Sequence, residues 1–577
     1  MKLSMICVAG LGFALTVLSA AGQEAQPPAD PRTVPHETQD MTPDGEVEPV
    51  GVCPAVRFEY GQGRYTTVQV NVNGQGDNIL GDAANEPSIA VDPTNPNRMA
   101  IGWRQFDTVN NNFREAGRAF TTDGGQTWTF PGVLTNGTFR SDPVLAADRA
   151  GTIYYCTLKN NFLCDMFIST DGGATFGSPI AAYGGDKEWM AIDTTGGMGD
   201  GHIYLAWSTA AGCCGNRIFT RSTDGGLSYL NPITLPSSPI WGTLAVAGNG
   251  DLYVCGSDAF STFIVVRSTN ADDPGQTPTF STRNASINLG GTVVAFGGPN
   301  PEGLAGQLYI AVDTSGGPRN GHLYLLSTVD PSGTDPADVK VVRSTDGGAT
   351  WSAPVRVNDD ASTTAWQWFG TMSIAPSGRL DAVWNDTRNT GNTFRCQTFY
   401  AYSTDGGATW SPNEATGPEW NSSVGWPQQN KIGDYYHMIS DDLGAHLAYA
   451  TTLNNEQDVY YMRVAVDCNG NGVHDGDDIA SGRSADANRN WIPDECEGAD
   501  CNRIDKFNVG CTNGRLKAKV VSTLAAGTIL TVDNNGDRRT LTINDRGKGK
   551  VKWTGQSGAH TVFIVECPQF TRSTTCN

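Results

Sequence analysis

An eight-residue motif that occurs five times constrains the fold of this chain more than any other feature of its sequence. Each copy reads Ser or Thr, Thr, Asp, Gly, Gly, any residue, Ser or Thr, and an aromatic residue. The copies occupy residues 121–128, 169–176, 222–229, 344–351 and 403–410. An Asp side chain here can accept hydrogen bonds from backbone N–H groups of its own turn, and the paired glycines tolerate positive φ. Because a strand-like segment precedes every copy, the motif predicts a tight turn whose aromatic residue packs back onto its own hairpin.

These copies resemble the Asp-box, or BNR, repeat of sialidase-like β-propellers. In that family the box forms the turn between the third and fourth strands of a blade, and it is a folding element, not a catalytic one. The resemblance covers about residues 64–467. It implies an all-β propeller in this part of the chain.

The number of blades follows from pairs of short apolar segments that are typical of the first and second strands of a blade. Seven pairs occur: 88–91 with 99–103, 144–147 with 153–158, 189–193 with 203–208, 243–247 with 252–255, 308–313 with 323–327, 372–375 with 380–384, and 437–440 with 446–450. The long gap between Asp224 and Asp346 has room for one worn box, which would begin at Ser268. We therefore expect a seven-bladed propeller over residues 64–466, with six blades as the alternative.

The last blade lacks both a box and a fourth strand. Residues 66–72, in contrast, resemble a fourth strand that has no blade of its own. If this N-terminal segment pairs with the last blade, the ring closes and no sheet edge stays exposed.

The N-terminal residues are typical of an exported protein. Lys2 precedes an apolar run over residues 5–18 and a group of small residues that ends at Gly22, which predicts a signal peptide over residues 1–22. Residues 23–63 are rich in Pro, Glu, Asp and Thr and predict a disordered linker. No later segment is long and apolar enough for a transmembrane helix. We expect a secreted or cell-surface protein once the signal peptide is removed.

Charge and cysteine content narrow the partners and the compartment. The formal net charge of −21 disfavours nucleic acids and anionic membranes and favours cations. Thirteen of the fourteen cysteines remain after signal removal, so at least one is free or pairs with another chain. The adjacent Cys213 and Cys214 can form a vicinal disulfide, but we expect each to pair elsewhere. Two disulfides near the C-terminus are expected from Cys501, Cys511, Cys567 and Cys576.

Residues 467–498 contain two segments that suit calcium. The first resembles an EF-hand loop with Gly472 at the turn, whereas the second has Trp491 in that place. The loops begin too close together for two helix–loop–helix pairs, so the segment is similar to dockerin or thrombospondin-type calcium repeats. An acidic linker without metal is the alternative. The predicted ligands of a structural calcium, the expected cofactor, are Asp467, Asn469, Asn471, Asp475, Asp478, Asp486, Asn488, Asn490, Asp494 and Glu497.

Residues 499–577 predict a small β-sandwich-like module, with strands over 516–521, 528–532, 539–543, 548–553 and 560–566. From residue 500 onward there are twelve Lys or Arg residues and six Asp or Glu residues. A basic module in an acidic chain suits attachment to an acidic polymer or to the cell envelope. A solvated basic face without a partner is the alternative.

Candidate functional residues lie at the starts of the first strands and at the tips of the second strands. In a propeller these positions share one face, opposite the Asp boxes. They are Glu86, Asp142, Glu188, Trp241, Phe369 and Asp434 at the strand starts, with Arg104, Asp107, Asp386 and Arg388 at the tips and Trp366 and Trp368 nearby. Carboxylates, guanidinium groups and aromatic rings around one channel mouth suit a carbohydrate. The same carboxylates can equally serve the fold by binding neighbouring backbone N–H groups and arginines.

The leading hypothesis is recognition of extracellular glycans or another surface polymer, with no nucleic acid partner. The predicted ligand-binding residues are Arg104, Arg388, Glu86, Asp142, Trp241 and Trp368. An exo-acting glycoside hydrolase of sialidase type is the alternative, because paired carboxylates can cleave a glycosidic bond. Its catalytic candidates are Glu188, Asp434, Tyr435 and Asp107. True sialidases of this family have six blades and an Arg-Ile-Pro motif that is missing here, so these residues match by type and face alone. A structural or adhesive surface protein is the second alternative.

Removal of calcium should lower the melting temperature of the full chain, because an ion that binds only the folded state stabilises it. Calorimetry with EGTA and with calcium added back measures this shift. The Asp467→Asn substitution should reduce the shift, whereas Asp505→Asn in the C-terminal module should leave it intact. A melting temperature that EGTA does not change would argue against the calcium loops.

Overall fold

The structure is a computed structural model that describes residues 53–209, 211–467, 475–484, 493, 503–524, 528–565, 567 and 570–576. These residues form an all-β protein with one short α-helix, Asp475–Ala480. The predicted signal peptide and most of the predicted linker lie outside the described residues. So do seven of the ten predicted calcium ligands, Asn469, Asn471, Asp486, Asn488, Asn490, Asp494 and Glu497. The chain divides into two compact units, Met1–Val464 and Ala465–Asn577.

The described part of the first unit contains seven small antiparallel sheets, here numbered in chain order. Sheet 1 consists of Ala83–Val91, Met99–Phe106 and Glu115–Thr121; sheet 2 of Ser141–Ala147, Ile153–Leu158, Cys164–Ser169 and Ile180–Tyr183; sheet 3 of Trp189–Ile192, Ile203–Ala206, Arg217–Ser222 and Ile233–Thr234. Sheet 4 consists of Leu244–Val246, Leu252–Ser257, Phe263–Ser268 and Ser281–Ile287; sheet 5 of Tyr309–Val312, Thr292–Val293, Leu323–Asp330, Asp338–Ser344 and Val355–Arg356. Sheet 6 consists of Gln367–Ile374, Leu380–Asp386, Arg395–Ser403, Glu414–Ala415 and Trp420–Asn421; sheet 7 of His437–Asp441, Gly444–Thr451, Asp458–Ala465, Tyr65–Gln69 and Arg57–Tyr60. A separate short pair joins Cys53–Pro54 to Asp77–Asn78.

The seven predicted pairs of first and second strands are confirmed, since each is an antiparallel pair in the structure. The second strands are buried along almost their whole length, as Ile153–Leu158 illustrates, because both of their faces are covered. The first strand of each sheet contacts the first strand of the next sheet. That of sheet 7 in turn contacts that of sheet 1.

Strand Tyr65–Gln69 belongs to the last sheet although it comes first in the chain. It pairs with Asp458–Ala465 so that Tyr65 lies opposite Val464 and Gln69 lies opposite Tyr460. The predicted pairing of an N-terminal strand with the last block is therefore present. The two ends of the unit are joined by backbone hydrogen bonds.

The Asp boxes have the predicted turn geometry. In the fifth copy, Asp405 accepts hydrogen bonds from Ser403 Oγ at 2.8 Å, from the Thr409 N–H at 2.9 Å and from Thr409 Oγ1 at 2.7 Å. The other four copies repeat these three contacts. Both glycines of the copy have positive φ, 75° at Gly406 and 73° at Gly407. The carboxylate therefore supplies the acceptor that backbone N–H groups of a tight turn would otherwise lack.

The boxes also join neighbouring sheets. A Cβ atom placed on Gly125 would lie 2.3 Å from the ring of Tyr461 in sheet 7, and one on Gly173 would lie 2.5 Å from Ala100 in sheet 1. Glycine is therefore required here both for its backbone conformation and for this close approach.

The predicted worn box is present in sheet 4. Ser268 Oγ donates to Asn270 Oδ1 at 3.1 Å, and Asn270 Oδ1 accepts from the Thr279 N–H at 2.9 Å. Asn270 thus takes the place of the Asp, and a Thr nine residues later, instead of four, supplies the second contact.

In the second unit, the described residues form two sheets and the helix Asp475–Ala480. One sheet consists of Ile504–Thr512, Arg515–Ser522 and Lys548–Thr554, and the other of Asp537–Thr542, Ile529–Asn534, Gly558–Ile564 and Thr571–Cys576. All five predicted strands are present, and Ile504–Thr512 and Thr571–Cys576 are additional. The two sheets share one apolar core that includes Leu516, Leu530 and Trp553. A disulfide joins Cys511 to Cys576. In the described part of the chain, no helix has the length and apolar character needed to cross a membrane.

The expectation for Cys213 and Cys214 is wrong, because the two residues form a vicinal disulfide. They lie in a tight turn after the second strand of sheet 3, and the Cys213 N–H donates to the Gly184 carbonyl at 3.0 Å. Several other cysteines of the first unit are held inside strands, namely Cys156, Cys164, Cys255 and Cys396, and these four are buried free thiols. The adjacent residue is the partner that this turn brings within reach.

Substitution of Asp405 tests the box as a source of stability. Asp405→Ala should lower the free energy of unfolding by about 1–2 kcal/mol, because the hydrogen bonds that converge on one carboxylate are lost. Asp405→Asn should lower it by less than half as much, since Asn270 fills the same role in sheet 4. Urea denaturation followed by Trp fluorescence measures both values. Equal losses for Ala and Asn would mean that the acceptor oxygen does not stabilise the turn.

Candidate functional site

The starts of four first strands share an unusual backbone conformation. Glu86, Asp142, Trp241 and Phe369 have positive φ values of 49°, 48°, 57° and 59°. The strand register shifts beside three of them, in sheets 1, 2 and 6. Positive φ is uncommon for residues other than glycine, so its recurrence marks a shared bulge that turns these side chains out of the strand pattern.

In sheets 3 and 7 the left-handed residue lies one position before the predicted strand-start residues Glu188 and Asp434. The left-handed residues there are Lys187, with φ 55°, and Gly433, with φ 91°. Glu188 and Asp434 therefore follow the bulge and are not equivalent to Glu86 and Asp142. By backbone conformation, Lys187 and Gly433 are the residues equivalent to Glu86 and Asp142.

Six charged side chains meet at these strand starts and are fully buried. Lys187 Nζ lies 2.6 Å from Asp434 Oδ2, 3.6 Å from Asp142 Oδ1 and 3.7 Å from Glu86 Oε1. Lys431 Nζ lies 2.8 Å from Asp434 Oδ2, and Arg104 Nε lies 3.3 Å from Glu86 Oε2. The buried charge cluster, as we call it, consists of Glu86, Arg104, Asp142, Lys187, Lys431 and Asp434.

Backbone groups complete the contacts of the cluster. The Leu304 N–H donates to Asp434 Oδ1 at 2.8 Å, and the Lys187 N–H donates to Asp142 Oδ2 at 2.8 Å. Burial raises the pKa of Glu86 to about 8, against the opposing attraction of Arg104 and Lys187. Asp186 Oδ1 also lies 4.0 Å from Lys187 Nζ, so each buried ammonium and guanidinium group is close to at least one carboxyl group, which is the condition under which a protein interior tolerates charge. The cluster therefore ties sheets 1, 2, 3 and 7 together.

Three of the four catalytic candidates are inside the protein. Glu188, Asp434 and Tyr435 expose 1%, 0% and 2% of their surface, and Tyr435 donates a hydrogen bond to the Pro143 carbonyl at 3.2 Å. Asp107 is exposed and lies close enough to Glu115 to raise the pKa of that residue, a smaller effect than the burial of Glu115. The candidates therefore do not form an open pair of carboxylates.

The arginines that a sialidase-like site needs do not converge on Tyr435. Arg104 belongs to the buried charge cluster, whereas Arg140 binds Asp165 at 2.8 Å. Arg388 lies in the loop after the second strand of sheet 6 and binds Asp386 at 2.8 Å and Asp359 at 2.6 Å. Each guanidinium group is paired with a nearby carboxylate, and the three pairs belong to three different sheets, namely 1, 2 and 6.

The remaining predicted ligand-binding residues are enclosed as well. Trp241 exposes 3% of its surface and Trp368 exposes none. The Trp368 ring packs against Phe369, with ring centroids 4.6 Å apart, and against Trp420 at 5.8 Å. Glu86 and Asp142 are buried in the charge cluster, and of the six predicted residues only Arg388 is partly accessible. The predicted residues at the strand starts are thus part of the core and do not form an open rim. Accessible residues on this side lie in the loops beyond the strand starts.

The first strands surround a cavity of about 770 Å³. Its wall includes Leu145, Trp189, Met190, Tyr309, Met372 and Met438, and Arg149 is its one charged residue within the described part of the chain. His437 also lines it, and burial lowers the pKa of this imidazole to about 4. The wall thus combines apolar side chains with Arg149 and with polar groups such as Thr243 and His437, and it contains no carboxylate in the described part of the chain.

A buried group of two thiols and a carboxylate has a donor set that could hold a metal ion. One ligand atom each of Cys156, Cys164 and Glu188 lies within 4.8 Å of the others, and all three residues are buried. Neither carboxylate oxygen of Glu188 has a hydrogen-bond partner among the described residues. Burial, together with the neighbouring Cys164, raises the pKa of Glu188 well above its usual value. Two sulfur donors and one oxygen suit zinc better than calcium.

Accessible aromatic rings lie on the loops of sheets 5 to 7. Phe296 is 41% exposed, and Trp366, Phe394 and Trp426 are half-buried. A Cβ atom on Gly298 would lie 2.5 Å from the Trp366 ring, which shows how closely the two loops approach. We call Phe296, Trp366, Phe394 and Trp426 the aromatic loop surface.

Hydrogen bonds make this surface continuous. Ser422 Oγ donates to the Pro299 carbonyl at 2.8 Å, and Trp426 Nε1 donates to the Ser422 carbonyl at 2.7 Å. The rings of Phe394 and Trp426 meet edge to face at 6.2 Å. The sequence comparison singled out Trp366 but missed the other three rings. Their signal is an aromatic residue among Gly, Asn, Ser and Thr, outside any strand pattern.

Polar side chains border the aromatic loop surface. Exposed Glu302 accepts hydrogen bonds from the backbone N–H and the side-chain amide of Asn430, at 2.8 and 2.7 Å. Gln428 donates to the Asn110 carbonyl, which brings a loop of sheet 1 to the same surface. Aromatic rings bordered by amides and a carboxylate thus face solvent.

Known proteins share with this chain the Asp-box repeat and a low overall similarity. Residues 401–412 match the model of the BNR/Asp-box repeat. No curated protein matches the chain. The chain is similar to a solved protein of unknown function from Dyadobacter fermentans DSM 18053, with 15% identity over 71% of this chain and 98% of that chain and a TM-score of 0.37. It is also similar to an arginine-to-alanine triple mutant of AofleA from Arthrobotrys oligospora, with 11% identity over 58% of this chain and 88% of that chain and a TM-score of 0.34. The repeat match fits β-propellers in general, sialidase-like ones among them.

Removal of one cation tests the buried charge cluster. Lys187→Met should lower the free energy of unfolding by about 3–5 kcal/mol, because it leaves buried carboxylates without their partner. The loss should be larger at about pH 8 than at about pH 5: carboxylates with a raised pKa bind protons in the folded state, so stability falls as pH rises through that range.

The matched control is Arg395→Met, which breaks an exposed ion pair with Glu419 and should cost at most about 1 kcal/mol. Chemical denaturation at both pH values measures these differences. A Lys187→Met loss as small as that of the control would show that the cluster does not hold the sheets together.

Proposed function

We propose that residues 64–466 form a closed seven-bladed β-propeller of the Asp-box type that is exported and recognises an extracellular glycan through its aromatic loop surface. The seven sheets support the blade count. The contacts between successive first strands, including those between sheets 7 and 1, support a ring. The pairing of Tyr65–Gln69 with Asp458–Ala465 supports its closure, since a shared last blade leaves no unpaired edge between the chain ends.

The aromatic loop surface carries the proposal for a glycan. A ring such as Trp366 or Trp426 offers a flat apolar face to the C–H groups of a sugar, and the indole N–H of Trp426 is already hydrogen-bonded to the Ser422 carbonyl. The amides of Asn430 and Gln428 and the carboxylate of Glu302 lie at the edge, where hydroxyl groups need donors and acceptors. The net charge of −21 favours a neutral glycan over an acidic one at this unit.

Binding without hydrolysis is favoured by the position of the carboxylates. A glycosidase needs two carboxyl groups that flank the scissile bond and reach a water molecule. Glu188 and Asp434 are buried, and Asp434 contacts two lysines. The exo-acting glycoside hydrolase therefore stays the second candidate, supported only by the repeat match, which sialidase-like propellers share with other propellers. A structural or adhesive surface protein is the third.

Calcium in the segment after the propeller is part of the proposal. In the first loop, Asp475 is the ninth position and Asp478 the twelfth, both of which are ligand positions in EF-hand loops. A helix begins at Asp475, as the exiting helix of such a loop does, and both side chains are buried. Asp478 also accepts a hydrogen bond from Arg483 Nε at 2.9 Å. A calcium ion beside Asp475 and Asp478 would explain why these two carboxylates are buried.

Glycan-array binding followed by titration tests the function. Trp366→Ala and Trp426→Ala should each weaken binding of the recognised glycan at least about tenfold, because a stacking surface is lost. Tyr60→Ala, which removes an aromatic residue that is 39% exposed on the outer strand of sheet 7, should leave affinity unchanged. Binding that survives both Trp substitutions would exclude this surface. Release of sugar from a reporter glycoside, abolished by Asp434→Asn or Glu188→Gln, would establish the hydrolase instead.

A further inference from the structure

One face of the three-stranded sheet in the second unit carries an unusual row of cations. Strand Arg515–Ser522 is central in this sheet, between Ile504–Thr512 and Lys548–Thr554. Its residues Leu516, Ala518 and Val520 are buried in the core, so the alternate residues point to the opposite face. The solvent-facing positions of the three strands are therefore fixed by the core.

Lysines occupy most of these outward positions. Lys517 lies directly opposite Lys552, and Lys519 lies directly opposite Lys550. Val521 lies between Lys506 on one neighbouring strand and Lys548 on the other. The complete set on this face is Lys506, Arg515, Lys517, Lys519, Lys548, Lys550 and Lys552, and we call it the lysine face.

The other outward residues at paired positions carry no charge and form no apolar patch; they are Asn508, Gly510, Thr512, Val521 and Thr554. Asp505, at the bulge beside Lys506, is the single exposed acidic residue of the three described strands. The neighbouring cations Lys519, Lys552 and Lys550 lower the pKa of Lys517, with Lys519 the main contributor. Like charges directly opposite each other destabilise a sheet, so the arrangement works against the fold of the unit.

Protection of sheet edges does not account for the pattern. Lysines on edge strands prevent pairing with other chains, but Lys517 and Lys519 are on the central strand, which already has two neighbours. Solubility does not require them either, since the whole chain has a net charge of −21.

We propose that the lysine face binds an acidic polysaccharide, and that the second unit thereby attaches the protein to an anionic polymer of the cell envelope or its surroundings. Neighbouring strands are about 4.8 Å apart, and alternate residues along a strand are about 6.8 Å apart. This spacing gives a flat grid of point charges that suits an extended polymer with regularly repeated carboxylates. Lysine, unlike arginine, attracts anions without fixed two-pronged geometry, which fits a repetitive partner.

The composition of the face argues against other polyanions. It has no aromatic residue on which a nucleic acid base can stack, and no exposed apolar ring or chain that would enter a lipid surface. The partner differs from the neutral glycan proposed for the first unit, and the two proposals stand independently.

Binding of polygalacturonate to the full chain tests the proposal, with dextran as the uncharged control polymer. The Lys517→Gln, Lys519→Gln and Lys550→Gln triple variant should bind at least about tenfold more weakly. Binding by the wild type should weaken steeply as salt is raised. The matched control variant, with Arg538, Arg546 and Arg572 each changed to Gln, removes the same charge elsewhere in the unit and should lose less than about threefold.

The lysine variant should melt no lower than the wild type, because it relieves repulsion, so a loss of binding cannot be attributed to unfolding. Equal weakening in both triple variants would reduce the effect to net charge and overturn the assignment. Failure of the wild type to bind polygalacturonate would overturn it too. Tighter binding to duplex DNA or to anionic vesicles than to polygalacturonate would assign the face to a different partner.

Discussion

The cost of burying charge governs the interior of the first unit. Lys187 is surrounded by Asp434, Asp142 and Glu86, which belong to sheets 7, 2 and 1, and its ammonium group is 1% exposed. An ammonium and a carboxylate removed from water are tolerated only when each finds its partner in good geometry. The strand starts must therefore meet with their charges matched, and the left-handed bulges at Glu86, Asp142 and Lys187 turn those residues toward one another. Residues that resemble an active site in the sequence are in this way used for assembly.

Because the charged groups at the strand starts stabilise the fold, the side chains that can contact a ligand lie in the loops beyond them. Asp434 is fully buried and contacts two lysines, and the buried Tyr435 donates to the Pro143 carbonyl, so neither side chain is open to a substrate. Loops beyond the strand starts are free of this constraint, since their backbone groups are satisfied locally by Asn, Ser and Asp side chains. Rings such as Phe296 are consequently held at the surface by loops that the sheets position, which is the usual setting of a binding site.

Features that depend on residues close together in the sequence could be predicted, and features that depend on contacts between sheets could not. The box is determined by eight consecutive residues, and strand pairs are determined by apolar segments a few residues apart, so both were predicted correctly. Even the worn box was found, since Ser268 and Asn270 keep their spacing. The burial of Glu86, Asp142 and Trp368 was not predicted, because it depends on residues from other sheets, such as Lys431, that no local pattern connects. The left-handed positions of sheets 3 and 7, Lys187 and Gly433, were not predicted either, because backbone conformation is not visible in the residue types.

Alternation in the second unit separates what the fold needs from what it does not. Leu516, Ala518 and Val520 must be apolar because they fill the core, and this requirement places residues 517 and 519 in solvent whatever they are. Any polar residue at those two positions would satisfy the fold, and an uncharged one would satisfy it better, since Lys519 and Lys550 repel each other across the strands. A buried charge in this protein is explained by its partner inside the chain. The exposed lysines far outnumber Asp505, the single exposed carboxylate on the described strands of their own sheet, and for that reason they carry more information about function than the carboxylates that first resembled a site.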